Sequence, residues 1–301
     1  MKSQWSDADA ERLVEQLAAE GVGRALALRL YSTRLLGADP ALVLHGGGNT
    51  SLKTEETDLL GEPVRVLRVK GSGRDMAALD AHHMPALRLD ALTRLRRLDG
   101  LSDELMVDAL LGARLSASAP SPSVETLLHA FLPHAAIDHT HADVVMALSN
   151  QPDGAALCAR VFEGRLGIVP YMMSGFALAR RAAEVYAADP SVEGLILMNH
   201  GIVTFGDDVR QSYERMVAHV DRAERFLAAQ ARPLAAAAPR AGTAAPLAEV
   251  APRLRGLLAD DKGDGRVERW ILDFRASPEI NAYLDGADLE RYASQGVVTP
   301  D

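Results

Sequence analysis

The chain has 301 residues, 48% apolar and 24% charged, with a formal net charge of −9. This is an ordinary globular composition with ample length for a core, and its acidity argues against nucleic acid as a partner, which calls for a basic stripe. The single cysteine, Cys158, excludes an internal disulfide and a Cys-rich zinc or iron–sulfur site, so any metal must be held by His and carboxylate.

The first residues lack the apolar segment of a signal peptide, and no apolar run reaches the ~18 residues of a membrane span. The expected setting is cytoplasmic, away from membranes. A helix is expected over residues 6–19: Ser6 and Asp9 resemble a capping box, and Leu13, Val14 and Leu17 form an apolar stripe. Gly21 and Gly23 break it. A second helix is expected over 24–36, stopped by Gly37. Residues 41–44 read as a short strand running into Gly46-Gly47-Gly48-Asn49-Thr50-Ser51. Residues 64–70 alternate like a strand and end in Gly71-Ser72-Gly73. Helices are expected over 85–98 and 103–111.

Residues 122–131 read as a short helix with Val124, Leu127, Leu128 and Phe131 on one face. Strands are expected at 135–140, 168–171 and 195–198. Asp207 is expected to cap a long helix reaching about residue 231. Residues 232–246 are rich in Ala and Pro and read as a linker between a main domain, 1–231, and a small extension, 247–301. The extension is expected to hold a helix, a strand at 270–274 and a helix at 278–284. Mixed strands and helices predict a layered α/β sheet with some antiparallel pairing.

His139-Thr140-His141 carries the most information. On a strand, side chains at i and i+2 share a face, so two imidazoles can converge on one metal. His200, at a strand end before Gly201, is a third candidate. Three His with an open position is a catalytic zinc pattern; the structural alternative is three satisfied polar side chains near strand ends. Glu125 falls in the first turn of a helix, where a carboxylate is favoured by the dipole. It is either a plain helix-start acid or a general base beside the metal. His129, four residues on, is an alternative partner for it.

Gly46–Ser51 and Lys70–Gly73 are two glycine-containing loops that either bind an anion or simply turn. Asn49, Ser51, Lys70, Ser72 and Ser123 are candidate donors. Neither loop is a P-loop or a dinucleotide motif. His45-Gly46-Gly47-Gly48 looks like a lipase oxyanion element, but there is no G-x-S-x-G elbow, so a serine hydrolase is excluded. Cys158 reads as packing, His82-His83 as a surface loop and His134 as part of a turn.

In order, the chain carries Gly-Gly-Gly-Asn49-Thr50-Ser51, Lys70-Gly-Ser72-Gly, Pro122-Ser123-Val-Glu125, His139-x-His141, Val169-Pro-Tyr171 and Asn199-His200-Gly201. This order resembles the class II aldolase/adducin family over about residues 25–230. The closer resemblance is to the aldolase half of fused rhamnulose-1-phosphate aldolase/alcohol dehydrogenase proteins. Residues 272–301 are similar to the segment leading into their dehydrogenase half.

The resemblance implies a three-layer α/β/α fold with a central mixed, largely antiparallel sheet. It implies metal ligands His139, His141 and His200 for Zn2+ (or Mn2+, Fe2+ or Co2+), and Glu125 as acid/base. Asn49, Ser72, Gly73 and Ser123 would hold a substrate phosphate. Val124 departs from the pattern, since fuculose-type aldolases have a second serine there. Tyr171 and Tyr213 are candidates for the family's proton-donor tyrosine. The implied activity is cleavage of a ketose 1-phosphate to dihydroxyacetone phosphate and an aldehyde, by a homotetramer with the site between subunits. A sugar-phosphate epimerase, dehydratase or decarboxylase on the same metal site, and a non-catalytic adducin-like domain, are the alternatives.

Overall fold

A computed structural model describes residues 1–230, 245–286 and 289–294. The chain divides into two units near residue 231. The first opens with helices α1 (Asp7–Ala18) and α2 (Arg24–Gly37). Ser6 caps α1, its side chain accepting from the Asp9 N–H. Gly37 is the last residue of α2, with Ala38 as the cap, and a Cβ there would meet the Ala77 backbone nitrogen at 2.2 Å. Glycine is needed for that close approach.

Residues 41–44 form no strand. They turn, and strand β1 (Asn49–Thr57) begins at the end of the glycine run. It forms a hairpin with β2 (Pro63–Val69). The helix expected over 85–98 is instead β3 (Ala86–Arg88), α3 (Leu89–Arg94) and a 3-10 turn. Pairing with β2 claims its first residues. Then come α4 (Asp103–Ala113), α5 (Thr126–Phe131) and β4 (Ala136–Thr140). Glu125 precedes α5 as its N-cap rather than lying in its first turn.

Next are α6 (Asp143–Ser149), α7 (Gly154–Phe162), β5 (Leu166–Val169) and α8 (Phe176–Ala188). β5 stops before Pro170, which has no N–H to donate. β6 (Gly194–Leu197), β7 (Gly201–Gly206) and α9 (Val209–Gln230) complete the unit. β7 was not anticipated. Asp208, rather than Asp207, supplies the α9 cap: its Oδ1 accepts from the Gln211 N–H at 2.8 Å.

The seven strands form one sheet in the order β3-β2-β1-β4-β7-β6-β5. Every neighbouring pair is antiparallel except β5–β6. Two cores flank it. One gathers Leu67, Ile137, Val203 and Phe205 with α3, α4, α5 and α8. The other gathers Ile196 and Ile202 with α2, α6, α7 and α9. Strand alternation therefore sends Ile202 and Val203 to opposite layers. The result is the expected three-layer fold with a mixed, largely antiparallel sheet.

In the second unit, α10 (Leu247–Leu257), a two-residue pair β8 (Asp260–Asp261) with β9 (Val267–Glu268), α11 (Pro278–Leu284) and α12 (Leu289–Ala293) follow one another. Residues 270–274 form no strand. This apolar run has no ladder partner among the described residues, and Ile271 is 93% exposed. Most of the linker expected at 232–246 falls outside the described residues; Pro246 is the N-cap of α10. Among the described residues, no helix is long and apolar enough to cross a membrane.

Candidate metal centre and cleft

β4 supplies His139 as its penultimate residue and His141 just beyond its end. His139 shares a parity with Ile137 and so faces the α5 layer, while Asp138 and Thr140 face the other. On that other face Asp138 meets the guanidinium of Arg29, both fully buried. Thr140 Oγ1 lies 3.3 Å from Met216 Sδ on α9.

His200 enters from the turn between β6 and β7. The turn is tight: Asn199 takes φ 58° and Gly201 φ 156°. A Cβ at Gly201 would stand 2.3 Å from the Thr140 carbonyl oxygen. Only glycine brings β7 that close to β4 beside His200. Asn199 Nδ2 donates to Asn150 Oδ1 at 3.0 Å and braces the same turn.

The three imidazoles converge. One ligand atom from each lies within 4.8 Å of the others, and all three side chains are buried. Ring centroids are 4.9 Å apart for His139–His200 and 5.0 Å for His139–His141. His139 Nδ1 is 3.0 Å from the Ile202 carbonyl, so this nitrogen donates and Nε2 keeps its lone pair toward the centre. Burial, then His139, pushes the His200 pKa down to about 4, so its ring is neutral near pH 7. Neutral imidazoles are the form that binds a divalent cation, so this donor set fits a metal. Asp80, His82 and His83 also bring ligand atoms within 4.8 Å, but at the surface, and Asp80 already pairs with Arg34 at 2.9 Å.

Glu125 faces this cluster at 6% exposure. Its Oε2 lies 3.3 Å from His139 Nε2 and accepts from Asn49 Nδ2 at 2.7 Å. Its Oε1 lies 3.2 Å from His200 Nε2 and accepts from Ser174 Oγ at 3.1 Å. Burial works to raise the carboxyl pKa, but His139, His200 and the Asn49 bond outweigh it and bring it to about 2. Glu125 is therefore ionised. His129 does not pair with it. Its Nδ1 meets Ser51 Oγ at 2.7 Å and its Nε2 meets Asn49 Oδ1.

Above the cluster opens a cleft of about 190 Å³, lined by both glycine loops with Asn49, Ser123, Glu125, His141 and His200. Ser72 and Gly73 lie on its wall. Asn49 Nδ2 also reaches Ser123 Oγ at 3.2 Å, and Ser123 Oγ accepts from the Glu125 N–H at 3.2 Å. Lys70 is 2% exposed, and its ammonium donates to the Gly46 carbonyl at 2.7 Å and the Arg74 carbonyl at 2.6 Å. It thereby ties the two glycine loops together.

Asn49, Lys70, Ser72, Gly73, Ser123, Glu125, His141 and His200 line this cleft, and His139 lies beside Glu125. Ser174 was missed. It sits in the loop after β5, where only its place before Gly175 could have signalled it. Of the two tyrosines, Tyr213 is buried against Trp5, and its hydroxyl accepts from the Gln4 N–H at 3.0 Å. That commits it elsewhere. Tyr171 is 58% exposed on the Ser174 loop.

Residues 29–227 match the Class II Aldolase and Adducin N-terminal domain, and residues 245–301 match Aldolase class II, second domain. The N-terminal class II aldolase domain of a conserved protein from Thermoplasma acidophilum is 36% identical, with a TM-score of 0.65 over 75% of this chain and 99% of that one. An aldolase II superfamily protein from Pseudomonas syringae shares the fold at 17% identity, with a TM-score of 0.52 over 81% of this chain and 90% of that one. YuxG of Bacillus subtilis (strain 168), described as an uncharacterized oxidoreductase, is 31% identical over 283 residues, 90% of this chain. The chain spans 40% of the length of that relative. By its match over all seven strands of the main sheet and the whole histidine cluster, the chain belongs to the class II aldolase and adducin family.

Proposed function

We propose that this chain is a divalent-metal-dependent lyase that cleaves a ketose 1-phosphate of the rhamnulose or fuculose type into dihydroxyacetone phosphate and an aldehyde. The observation that carries this reading is a buried, ionised Glu125 touching two of three converging imidazoles, below a cleft walled by glycine loops.

His139, His141 and His200 would hold Zn2+ (or Mn2+, Fe2+ or Co2+). Once bound, such a cation supplies positive charge for the oxyanion that develops when a carbon–carbon bond beside a carbonyl breaks. Glu125 carries the proton to and from the carbon where that charge is shared. Tyr171 is the candidate to exchange a proton with the aldehyde oxygen. Ser72, Gly73, Ser123 and Asn49 anchor the phosphate, and the buried Lys70 adds positive charge behind them. Anchoring the unreactive end orients the bond to be broken.

Val124 favours a second reading. It is 47% exposed on the cleft wall, where fuculose-type aldolases have a serine. The anion therefore loses one hydroxyl donor, which suits an epimerase, dehydratase or decarboxylase acting on a differently placed anion. The deciding experiment is release of dihydroxyacetone phosphate from a panel of ketose 1-phosphates, with and without a chelator. Chelator-sensitive release supports the lyase. An isomeric sugar without fragments moves the assignment to an epimerase.

We further propose a cytoplasmic homotetramer, to be checked by sedimentation. Residues 1–231 are assigned as the catalytic domain. The oxidoreductase description of YuxG, of which this chain matches 40%, supports the reading that longer relatives join this half to a dehydrogenase.

A further inference from the structure

We propose that His129 is a positioning residue that sets the direction of the Asn49 amide, and through it the hydrogen bond received by Glu125. The proposal rests on the acid/base role given to Glu125 above. Nothing in the proposed chemistry uses His129, yet it is fully buried on α5.

The spacing follows from the sheet. Asn49 and Ser51 pair with His139 and Ile137 of β4, so both point to the α5 face, two residues apart. The two ring nitrogens of His129 span that interval. Nδ1 lies 2.7 Å from Ser51 Oγ and Nε2 lies against Asn49 Oδ1.

The direction of each bond follows from the geometry. An Asn amide can turn over and exchange its oxygen for its nitrogen. Here Asn49 Nδ2 stands 2.7 Å from Glu125 Oε2 and donates to it, so the group facing Glu125 is the amide NH2. The amide oxygen then faces His129, and His129 Nε2 must carry a hydrogen. Burial keeps this ring neutral, with a pKa near 3, so it has a single N–H. Nδ1 is then the acceptor, and the Ser51 hydroxyl donates to it. The hydrogen bonds run from Ser51 through His129 and Asn49 to Glu125, the terminal acceptor, each hydrogen directed toward the carboxylate. Without His129 Nε2–H, the amide oxygen loses its buried donor and the amide is free to turn.

The test uses the zinc-loaded full chain with 15N-labelled histidine rings. The His129 signal is the one missing from His129→Gln. The expected result is a neutral ring protonated at Nε2 around neutral pH. A proton on Nδ1, or a charged ring, overturns the proposal.

Kinetics supply a second arm. His129→Leu should lower kcat ~10- to 100-fold while bound zinc stays near wild type. Added to Asn49→Ala, it should bring no further loss, because both act through one bond. His129→Gln, whose amide nitrogen can stand near the place of Nε2, should recover part of kcat. Losses that multiply, or loss of zinc from His129→Leu, overturn the proposal. If no ketose 1-phosphate is turned over, the lyase reading fails while the position of the ring proton still decides this inference.

Discussion

Asn49 Nδ2 donates to Glu125 Oε2 at 2.7 Å across 76 positions of sequence, joining the first residue of β1 to the N-cap of α5. Ser174 holds the other carboxylate oxygen. Glu125 is thus fixed from both sides while touching two imidazoles. Glutamine keeps its shape but cannot carry a proton. Glu125→Gln is expected to retain metal and lose ~10²- to 10⁴-fold in turnover. Metal analysis alongside product release checks this; near-normal turnover would remove Glu125 from the mechanism.

The His200 turn gives a second test. A Cβ at Gly201 would run into the Thr140 carbonyl and come within 3.3 Å of the His139 ring. The backbone there also takes φ 156°, which an L side chain resists. Gly201→Ala is expected to lower the melting temperature and weaken metal retention together, with strain of about 1–3 kcal/mol. His139→Ala and His200→Ala should lose metal by removing a ligand. Full metal content in these two variants would sink the ligand assignment.

The histidine cluster was more legible in the sequence than the strands that carry it. His139 and His141 declared themselves because a period of two on a strand is a local property. β1 and β7 did not. Each begins at a site motif, Asn49 or Gly201, and its strand character comes from pairing with β4, far off in the sequence. The tripeptide 86–88 is claimed by β2, although its local pattern favours a helix. Nothing local announces that Ala77 will press against Gly37. Ser174 and the partners of His129 depend on which elements meet, so residue types alone could not find them.

Arg29 and Asp138 form an ion pair with no exposure on either side. Arg29 also donates to Ser32 Oγ at 2.7 Å and to the Ser51 carbonyl at 3.4 Å. The pair fastens α2 to β4 directly behind His139. Arg29→Met would leave Asp138 charged and buried without its counterion. The expected loss is about 3–5 kcal/mol in urea unfolding. A loss below ~1 kcal/mol would mean that Asp138 is neutral in the fold.

Among the described residues, both large hydrophobic cores draw only on residues before 231, as do the seven-stranded sheet and the three histidines. A chain ending at residue 230 is therefore expected to fold and bind one equivalent of metal. Circular dichroism and metal titration check this. An unfolded product would show that the second unit supplies stability to the first.

Lys53 gives stability a pH dependence of definite sign. Its half-buried ammonium donates to the Leu132 carbonyl, and burial followed by Arg65 lowers its pKa from 10.5 to about 7. His134 is a further basic group within its field. Below about 7 both folded and unfolded chains hold the proton, and the penalty of burying the charge is fully present. Between about 7 and 10.5 the unfolded chain binds the proton and the folded chain does not. In that window stability from this group rises with pH, because the unfolded state holds more protons. Lys53→Met removes the charge while keeping most of the apolar stem. It should be more stable than wild type at pH 7 and show a flatter stability profile up to about 10.5. Chemical denaturation across that range would reveal the difference in slope, and parallel profiles would show that Lys53 stays protonated in the fold.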